Sequence, residues 1–348
     1  MREIRIGSAR ETVVERTDYP PERIGQVLAN ETMAVLGYGV QGRAQSLNLR
    51  DQGLRVLVGS REGGRGWDLA RHDGWTPGET LFPLDEAARR GSIVMYLLSD
   101  AGQKEQWPTL RPLLTPGKAL YFSHGFSIAY SDQTGVEPPP NIDVILVAPK
   151  GSGATLRRLF LEGKWINSSF AICQDATGRA RERCLALGIA IGSGHLIETT
   201  LHKEVFGDLT GERGALMGAI YGLWLAQYEV LREHGHPPLE AFHETVEEAT
   251  QSLYPLIAEN GMAWMYANCS ETAQRGALDW FARFRDAVKP VFEELYRKVA
   301  AGEETRRVLD ASSRTDYRRQ LEQELKAIAE SEMWRAGEIA RSLRPAKG

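Results

Sequence analysis

Five short runs in the first 150 residues, at 33–36, 54–58, 93–98, 119–122 and 144–148, are almost continuously apolar. A strand with one face in water alternates apolar and polar residues, whereas a strand covered on both faces reads as an unbroken apolar run. These runs therefore predict buried, largely parallel strands, and the mixed-polarity stretches between them predict helices on both faces of the sheet. Three of the runs end in chemically rich tips: Ser99-Asp100, Ser123-His124-Gly125 and Pro149-Lys150-Gly151-Ser152-Gly153. In an open parallel sheet the carboxyl ends of the strands face the ligand crevice, so the tips are expected to converge on one site.

The texture changes near residue 200. Strand-like runs stop, and the pattern predicts long helices over 214–234, 239–259, 276–300 and 316–343. Gly211, Gly214, Gly218 and Gly222 recur at three- and four-residue spacing. Each interior glycine costs a helix about 1 kcal/mol relative to alanine, so such a stripe predicts another backbone pressed against it. With 348 residues the chain exceeds one ordinary core. We expect an α/β fold in two parts: a Rossmann-type parallel-sheet domain over 1–200 and an all-helical domain over 201–348.

Composition narrows the partners. A charged fraction of 25%, a hydrophobic fraction of 42% and a net charge of −4 are ordinary for a globular protein and give no basis for nucleic acid or an anionic membrane. Cys173, Cys184 and Cys269 have no metal-type spacing, which fits a reducing compartment without disulfides. No apolar stretch approaches the roughly 20 residues of a membrane span. The first 16 residues mix Arg and Glu and lack the features of a signal or transit peptide, so a cytoplasmic location is expected.

Gly37-Tyr38-Gly39-Val40-Gln41-Gly42 directly follows the first run and opens a helical stretch. Glycines there let the backbone approach a pyrophosphate whose charge sits at the helix amino terminus. After the second run the chain reads Gly59-Ser60-Arg61-Glu62-Gly63-Gly64-Arg65. A site for NADH would carry an acid for the ribose hydroxyls, whereas Ser60, Arg61 and Arg65 suit a 2′-phosphate, so NADPH is expected. Two acid pairs at four-residue spacing stand further on: Asp208 with Glu212, and Glu244 with Glu248, the latter interrupted by Glu247. Like charges four apart share a helix face and repel, which a pair of hard divalent cations would relieve. Spacing alone also fits a capped helix start for the first pair and a solvated face for the second. His124, Lys150 and Ser270 are open in the same way: each suits a catalytic or binding role, or a cap.

The chain carries Gly37-Tyr-Gly-Val-Gln-Gly42, Asn48-Leu-Arg-Asp-Gln-Gly53, Ser123-His-Gly-Phe126, Val147-Ala-Pro-Lys-Gly-Ser-Gly153, Ile197-Glu-Thr-Thr200, Asp208-Leu-Thr-Gly-Glu212 and Cys269-Ser-x-Thr-Ala-x-x-Gly276. Taken together, these motifs resemble ketol-acid reductoisomerase, the acetohydroxyacid isomeroreductase of branched-chain amino-acid synthesis. The stretch from Ala226 to Pro255 is most similar to the fungal branch, whose mitochondrial presequence is not expected here.

The resemblance implies a reaction. 2-Acetolactate or 2-aceto-2-hydroxybutyrate undergoes alkyl migration and is then reduced by NADPH to a 2,3-dihydroxy acid, with two Mg²⁺ ions per site. It implies that Asp208 and Glu212 serve the metals with Glu244 and Glu248, that Glu248 or a metal-activated water is the base, and that Ser270 binds the substrate carboxylate. His124 and Lys150 would lie beside metals and nicotinamide. Gly37 to Gly42, Ser60, Arg61, Arg65, Ser99, Asp100, Gln103, Gly125 and Gly153 would line the cofactor. The helical part has the length of the family's short form, in which two subunits intertwine into a knotted core, so a homodimer with shared active sites is implied, with larger assemblies of dimers open. Val40 and Arg43 depart from residues common in the family, and Gly63-Gly64 replaces a frequent serine. Two rivals are a metal-independent β-hydroxyacid dehydrogenase and a non-catalytic NADPH-sensing module.

Overall fold

The computed structural model describes residues 1–344; residues 345–348, the end of the expected second domain, lie outside the described residues. The chain divides into two compact units, Met1–Gly207 and Asp208–Gly348. The division falls inside the helix Leu201–Arg213, which runs through it unbroken.

The first unit is built on a ten-stranded sheet. Its strands are β1 (Arg2–Ile6), β2 (Ala9–Glu15), β3 (Met33–Leu36), β4 (Val56–Gly59), β5 (Leu81–Phe82), β6 (Ile93–Tyr96), β7 (Ala119–Phe122), β8 (Asp143–Pro149), β9 (Ile166–Gln174) and β10 (Ser193–Glu198). The order is β1-β2-β10-β9-β8-β7-β6-β3-β4-β5. From β5 to β8 every neighbouring pair is parallel. That segment has the strand order of a doubly wound dinucleotide-binding fold, with its switch point between β3 and β6.

Alternation along these strands fills two cores. Met33, Val35, Ile93, Met95, Tyr121, Ile145 and Val147 belong to one face. Ala34, Leu36, Val94, Tyr96, Leu120, Phe122, Val144 and Leu146 belong to the other. Fully burying a large apolar side chain contributes about 1.5–3 kcal/mol, so covering both faces is the main force holding the sheet together.

The expected parallel sheet is extended by a mixed one. β9 pairs antiparallel to β8, β10 returns parallel to β9, and the hairpin β1–β2 closes that side antiparallel to β10. These strands are less uniformly apolar: Arg10, Glu11 and Glu15 interrupt Ala9–Glu15, and in Ile166–Gln174 the apolar residues Phe170 to Cys173 follow Asn167, Ser168 and Ser169. Register also moves slightly, the run at 54–58 forming a strand only from Val56.

The second unit is helical throughout the described residues, with Tyr228, Ala241, Phe242, Val246, Met333, Ala336 and Ala340 forming its core. The expected uninterrupted helix over 214–234 is broken, and Gly218–Glu233 starts after a turn. Gly214 and Gly218 serve that turn: a methyl on Gly218 would strike the Arg213 carbonyl, and one on Gly214 would come 2.7 Å from both the Phe292 ring and the Thr210 carbonyl. Gly222 meets nothing within 4 Å. Within one chain, Gly214 and Gly218 thus serve a tight turn and a ring contact. The stretch 239–259 is also interrupted, with π-helical turns at His243–Glu247 and Ala249–Leu253. Such turns are rare and recur at functional sites.

The glycine loop gives a direct stability test. A methyl on Gly42 would run into the Gly37 carbonyl, whereas one on Gly39 meets nothing within 4 Å. Gly42→Ala should cost about 1–3 kcal/mol in chemical denaturation through overpacking. Gly39→Ala should stay within about 0.5 kcal/mol of the parent while weakening dinucleotide binding. Equal stability of Gly42→Ala and the parent would contradict the packing.

Candidate active site

The crevice lies at the carboxyl ends of β3, β4, β6, β7 and β8. Gly37 leaves β3 at φ +98°, a left-handed conformation that glycine adopts without strain, and its amide donates to the Gly59 carbonyl at 2.8 Å. Gly39 sits at the amino end of the helix Val40–Asp51 with open space before it. Unpaired amides and the positive end of the helix dipole make this a place for a pyrophosphate. Gly153 opens the helix Gly153–Leu161 so close to Val40 that a methyl would strike the Val40 carbonyl. The glycine at 153 is therefore required by packing between two helix starts.

Below the loop, Tyr38 is tied down. Its hydroxyl donates to Asp73 Oδ2 at 2.8 Å and accepts from Trp75 Nε1 at 2.8 Å, and Arg43 grips the same carboxylate through Nε and Nη2 at 2.6 and 2.9 Å. The Arg43 fork holds the Asp73 carboxyl below the usual aspartate range, against an upward push from burial, with Tyr38 adding to the pull. Burial, with Asp73 beside it, pushes the Tyr38 phenol up, so it remains a donor. Ser60 is buried, and Arg61 is exposed after β4. Arg65 begins the helix Arg65–His72, and neither arginine forms an ion pair among the described residues.

After β6, Ser99 caps the helix Asp100–Leu110 by accepting from the Gly102 amide. Gln103 turns inward: its amide donates to the Tyr96 and Leu98 carbonyls at 3.1 Å each and accepts from Ser127. Gln103 therefore shapes the Leu98–Ser99 turn from beneath.

The tips after β7 and β8 meet a residue that the motif reading did not single out. Glu204, on the helix Leu201–Arg213, has a fully buried side chain. Its Oε1 accepts from Lys150 Nζ at 3.1 Å, and its Oε2 faces His124 Nδ1 at 3.5 Å. Burial pushes this carboxyl up, but the combined pull of His124 and Lys150 is greater and holds it below the ordinary glutamate range. Gly125 makes the approach possible, because a methyl there would collide with Leu201 and come within 3.1 Å of Val205. Asp208 follows one turn later on the same helix face. His124, Glu204 and Asp208 each offer a ligand atom, all within 4.8 Å of one another. A signal for Glu204 was present in the sequence, since Glu204, Asp208 and Glu212 recur every four residues.

The other acids do not join this group. Glu212 is half exposed and lies 3.9 Å from Arg213, which Glu304 holds at 3.3 Å. Glu244 and Glu248 are exposed on the π-helical stretch, while Glu247 is engaged by Arg344 at 2.8 and 2.6 Å. Glu212, Glu244 and Glu248 form no compact ligand group among the described residues. Ser270 is exposed and caps the helix Glu271–Ala300, accepting from the Ala273 amide at 3.3 Å.

A doubly wound sheet with an open glycine turn, reactive groups on adjacent strand tips and a buried acid behind them defines a nicotinamide-dinucleotide oxidoreductase. Two family models together span nearly the whole chain: "Acetohydroxy acid isomeroreductase, NADPH-binding domain" over 27–196 and "Ketol-acid reductoisomerase, C-terminal domain" over 201–346. The chain belongs to the ketol-acid reductoisomerase family. It is 60% identical to a ketol-acid reductoisomerase (NAD(+)) of Desulfosudis oleivorans, covering 98% of this chain and 97% of that one. It is likewise 60% identical to the mitochondrial ketol-acid reductoisomerase of Neurospora crassa, covering 97% and 84%. Among solved structures, an NADH-preferring ketol-acid reductoisomerase from an uncultured archean superposes with a TM-score of 0.84 at 32% identity, covering 97% of this chain and 100% of that one.

The Asp73 cluster carries a pH dependence with a definite sign. A carboxyl depressed in the folded state contributes stability above its unfolded pKa, and that contribution is lost as pH falls through the folded value. The stability gap between the parent and Asp73→Asn should be fully present at pH 7 and close as pH drops below the ordinary aspartate value of 3.8. A gap that persists unchanged at low pH in denaturation curves would contradict this.

Proposed function

We propose that this enzyme acts on 2-acetolactate or 2-aceto-2-hydroxybutyrate with NADPH in preference to NADH, uses two Mg²⁺ ions per site, and works as a homodimer with shared sites, its subunits intertwined through a knotted helical core. The observation that carries the reading is the buried Glu204, bound by Lys150 and facing His124 at two strand tips, with Asp208 one turn beyond.

The residues fit a hard divalent cation. Glu204 Oε2 is buried 3.5 Å from His124 Nδ1, and a carboxylate oxygen of Asp208 lies within 4.8 Å of both residues' ligand atoms, so two carboxylates and an imidazole converge on one spot. Carboxylate oxygens are the ligands such ions take. Asp208 and Glu212 would hold the metals from one chain, and Glu244 and Glu248 from a second copy. Bound ions polarise the substrate's oxygens and lower its hydroxyl pKa, while NADPH supplies hydride.

The chain's own groups supply the rest. Glu248 takes the substrate hydroxyl proton, and fixed placement of the reacting carbons favours alkyl migration. Lys150 Nζ, held against Glu204, gives a proton to the oxygen of the reduced ketone, and His124 lies on the same carboxylate. Ser270 meets the substrate carboxylate. The glycine turn Gly37–Gly42 takes the pyrophosphate, with Ser99, Asp100, Gln103, Gly125 and Gly153 shaping the walls around it.

Two features support the dimer. Glu244 and Glu248 do not join a ligand group within the helical unit of one chain. The helix Glu271–Ala300 also leaves Trp280, Phe281, Phe284 and Val291 more than half exposed. Such a row of large apolar residues is what an interface covers. No helix among the described residues is long and apolar enough to cross a membrane, and the cytoplasm remains the proposed location.

Neither Asp208→Ala nor Glu244→Ala should turn over 2-acetolactate alone. Mixed and allowed to exchange subunits, they should regain about a quarter of parental activity, because half of randomly paired dimers then hold one intact site. No recovery despite demonstrated exchange would remove the shared site. For the cofactor, Arg61→Ala should raise the KM for NADPH about tenfold while leaving that for NADH within about twofold, since the guanidinium meets only the 2′-phosphate. Parallel changes for both cofactors would overturn the assignment. Chelation should abolish consumption of 2-acetolactate and added Mg²⁺ restore it; full turnover in chelator would eliminate the metals.

A further inference from the structure

A second polar cluster lies inside the sheet domain, directly beneath the tips. Gln45 is fully buried on the glycine-loop helix Val40–Asp51, yet every polar atom of its amide is engaged. Its Nε2 donates to Ser123 Oγ at 2.6 Å and to Gln41 Oε1 at 3.1 Å, and its Oε1 accepts from the Tyr121 hydroxyl at 2.9 Å. Tyr121, buried on β7, also lies 3.2 Å from the Val147 carbonyl on β8 and 3.2 Å from Ser123 Oγ. Gln41 continues outward, its Nε2 donating to the Gly151 carbonyl at 3.2 Å. Burial pushes the Tyr121 phenol up, so the hydroxyl keeps its proton.

The chain of bonds has a specific set of ends. One is the first turn after the pyrophosphate loop. Another is Ser123, the residue before His124. The last is Gly151, the residue after Lys150. An interior glutamine and tyrosine cost desolvation unless fully bonded, and an apolar pair of the same size would fill this space with no such cost. What apolar residues would not do is fix the angular relation between the helix and the two tips.

We propose that Gln45 and Tyr121 are positioning residues, which set the strand tips bearing His124 and Lys150 relative to the glycine turn that holds the dinucleotide. This rests on the assignment of those tips to the reaction. Neither residue touches the crevice itself. Both act through Ser123, Gln41 and the backbone of β8. Because the pyrophosphate is bound by the turn's own amides, loss of the buried bonds leaves cofactor affinity in place and disturbs the meeting of the reacting groups.

The test uses the full-length enzyme with Gln45→Met, which keeps side-chain volume, Tyr121→Phe, which deletes one oxygen, their double variant, and Lys150→Met as a reference. Misplacing reacting groups by even 1 Å costs up to about a hundredfold. Gln45→Met should lower kcat about tenfold, with the dissociation constant for NADPH measured by fluorescence and the KM for 2-acetolactate each within about twofold of the parent. Tyr121→Phe should lower kcat less, and the double variant should be little worse than Gln45→Met, because the residues act through one path. Parental kcat in Gln45→Met and Tyr121→Phe, with only a lowered Tm, would reduce the cluster to a structural one and overturn the proposal, as would losses that multiply in the double variant. If Gln45→Met does not fold, Tyr121→Phe decides alone by the same split between kcat and binding. Parental kcat in Lys150→Met would instead overturn the assignment of that tip, whereas a crippled Lys150→Met beside a fully active Gln45→Met removes only the positioning role.

Discussion

The burial of one negative charge organises this site. Placing an unpaired carboxylate where Glu204 sits would cost at least several kcal/mol, and losing one partner of such a pair typically costs about 3–5 kcal/mol. The side chain is tolerated there because Lys150 and His124 approach from two different strand tips. The same contacts draw the helix Leu201–Arg213 onto the carboxyl edge of the sheet. Gly125 permits that approach by omitting a side chain where Leu201 and Val205 press in. Asp208 is then presented one turn further on, beside the His124 and Glu204 ligand atoms. One ion cluster thus joins fold to chemistry.

Much of the fold was legible because apolar runs report burial directly. The runs at 33–36 and 119–122 became β3 and β7 without a shift, since both faces of these strands are covered and no polar residue fits. β9 and β10 were not visible because their strands mix Ser, Asn, Gly and His with apolar residues, and the charged hairpin β1–β2 is mostly wet. The helical half was legible in type and poorly in detail. Periodicity cannot distinguish an α-helix from one with π turns at 243–253, nor see that Gly214 and Gly218 mark a break.

The site divided in the same way. Residues announced by motif lie at the carboxyl ends of one sheet, the glycine turn after β3, His124 after β7 and Lys150 after β8, as topology requires. Glu204 extends the four-residue spacing of Asp208 and Glu212, but spacing alone fits a solvated helix face equally well, and only its burial sets it apart. Gln45 escaped notice for a related reason. A glutamine in the middle of a helix that is buried on most sides carries no sign of facing Tyr121 until the sheet is assembled. Residues whose role depends on partners more than 70 positions away in sequence, as Gln45 and Tyr121 are at 76, are read from geometry rather than from spacing.

The central claim is that Glu204 acts as a buried counter-charge that clamps the strand tips to the helix and presents Asp208 to a divalent cation. Anomalous diffraction from crystals equilibrated with Mn²⁺ in place of Mg²⁺ tests it most directly. The account predicts a manganese peak in coordination contact with Asp208, with Glu204 still bonded to Lys150. A map with no peak at Asp208, or one in which Glu204 has left Lys150 and turned out to solvent, would contradict it.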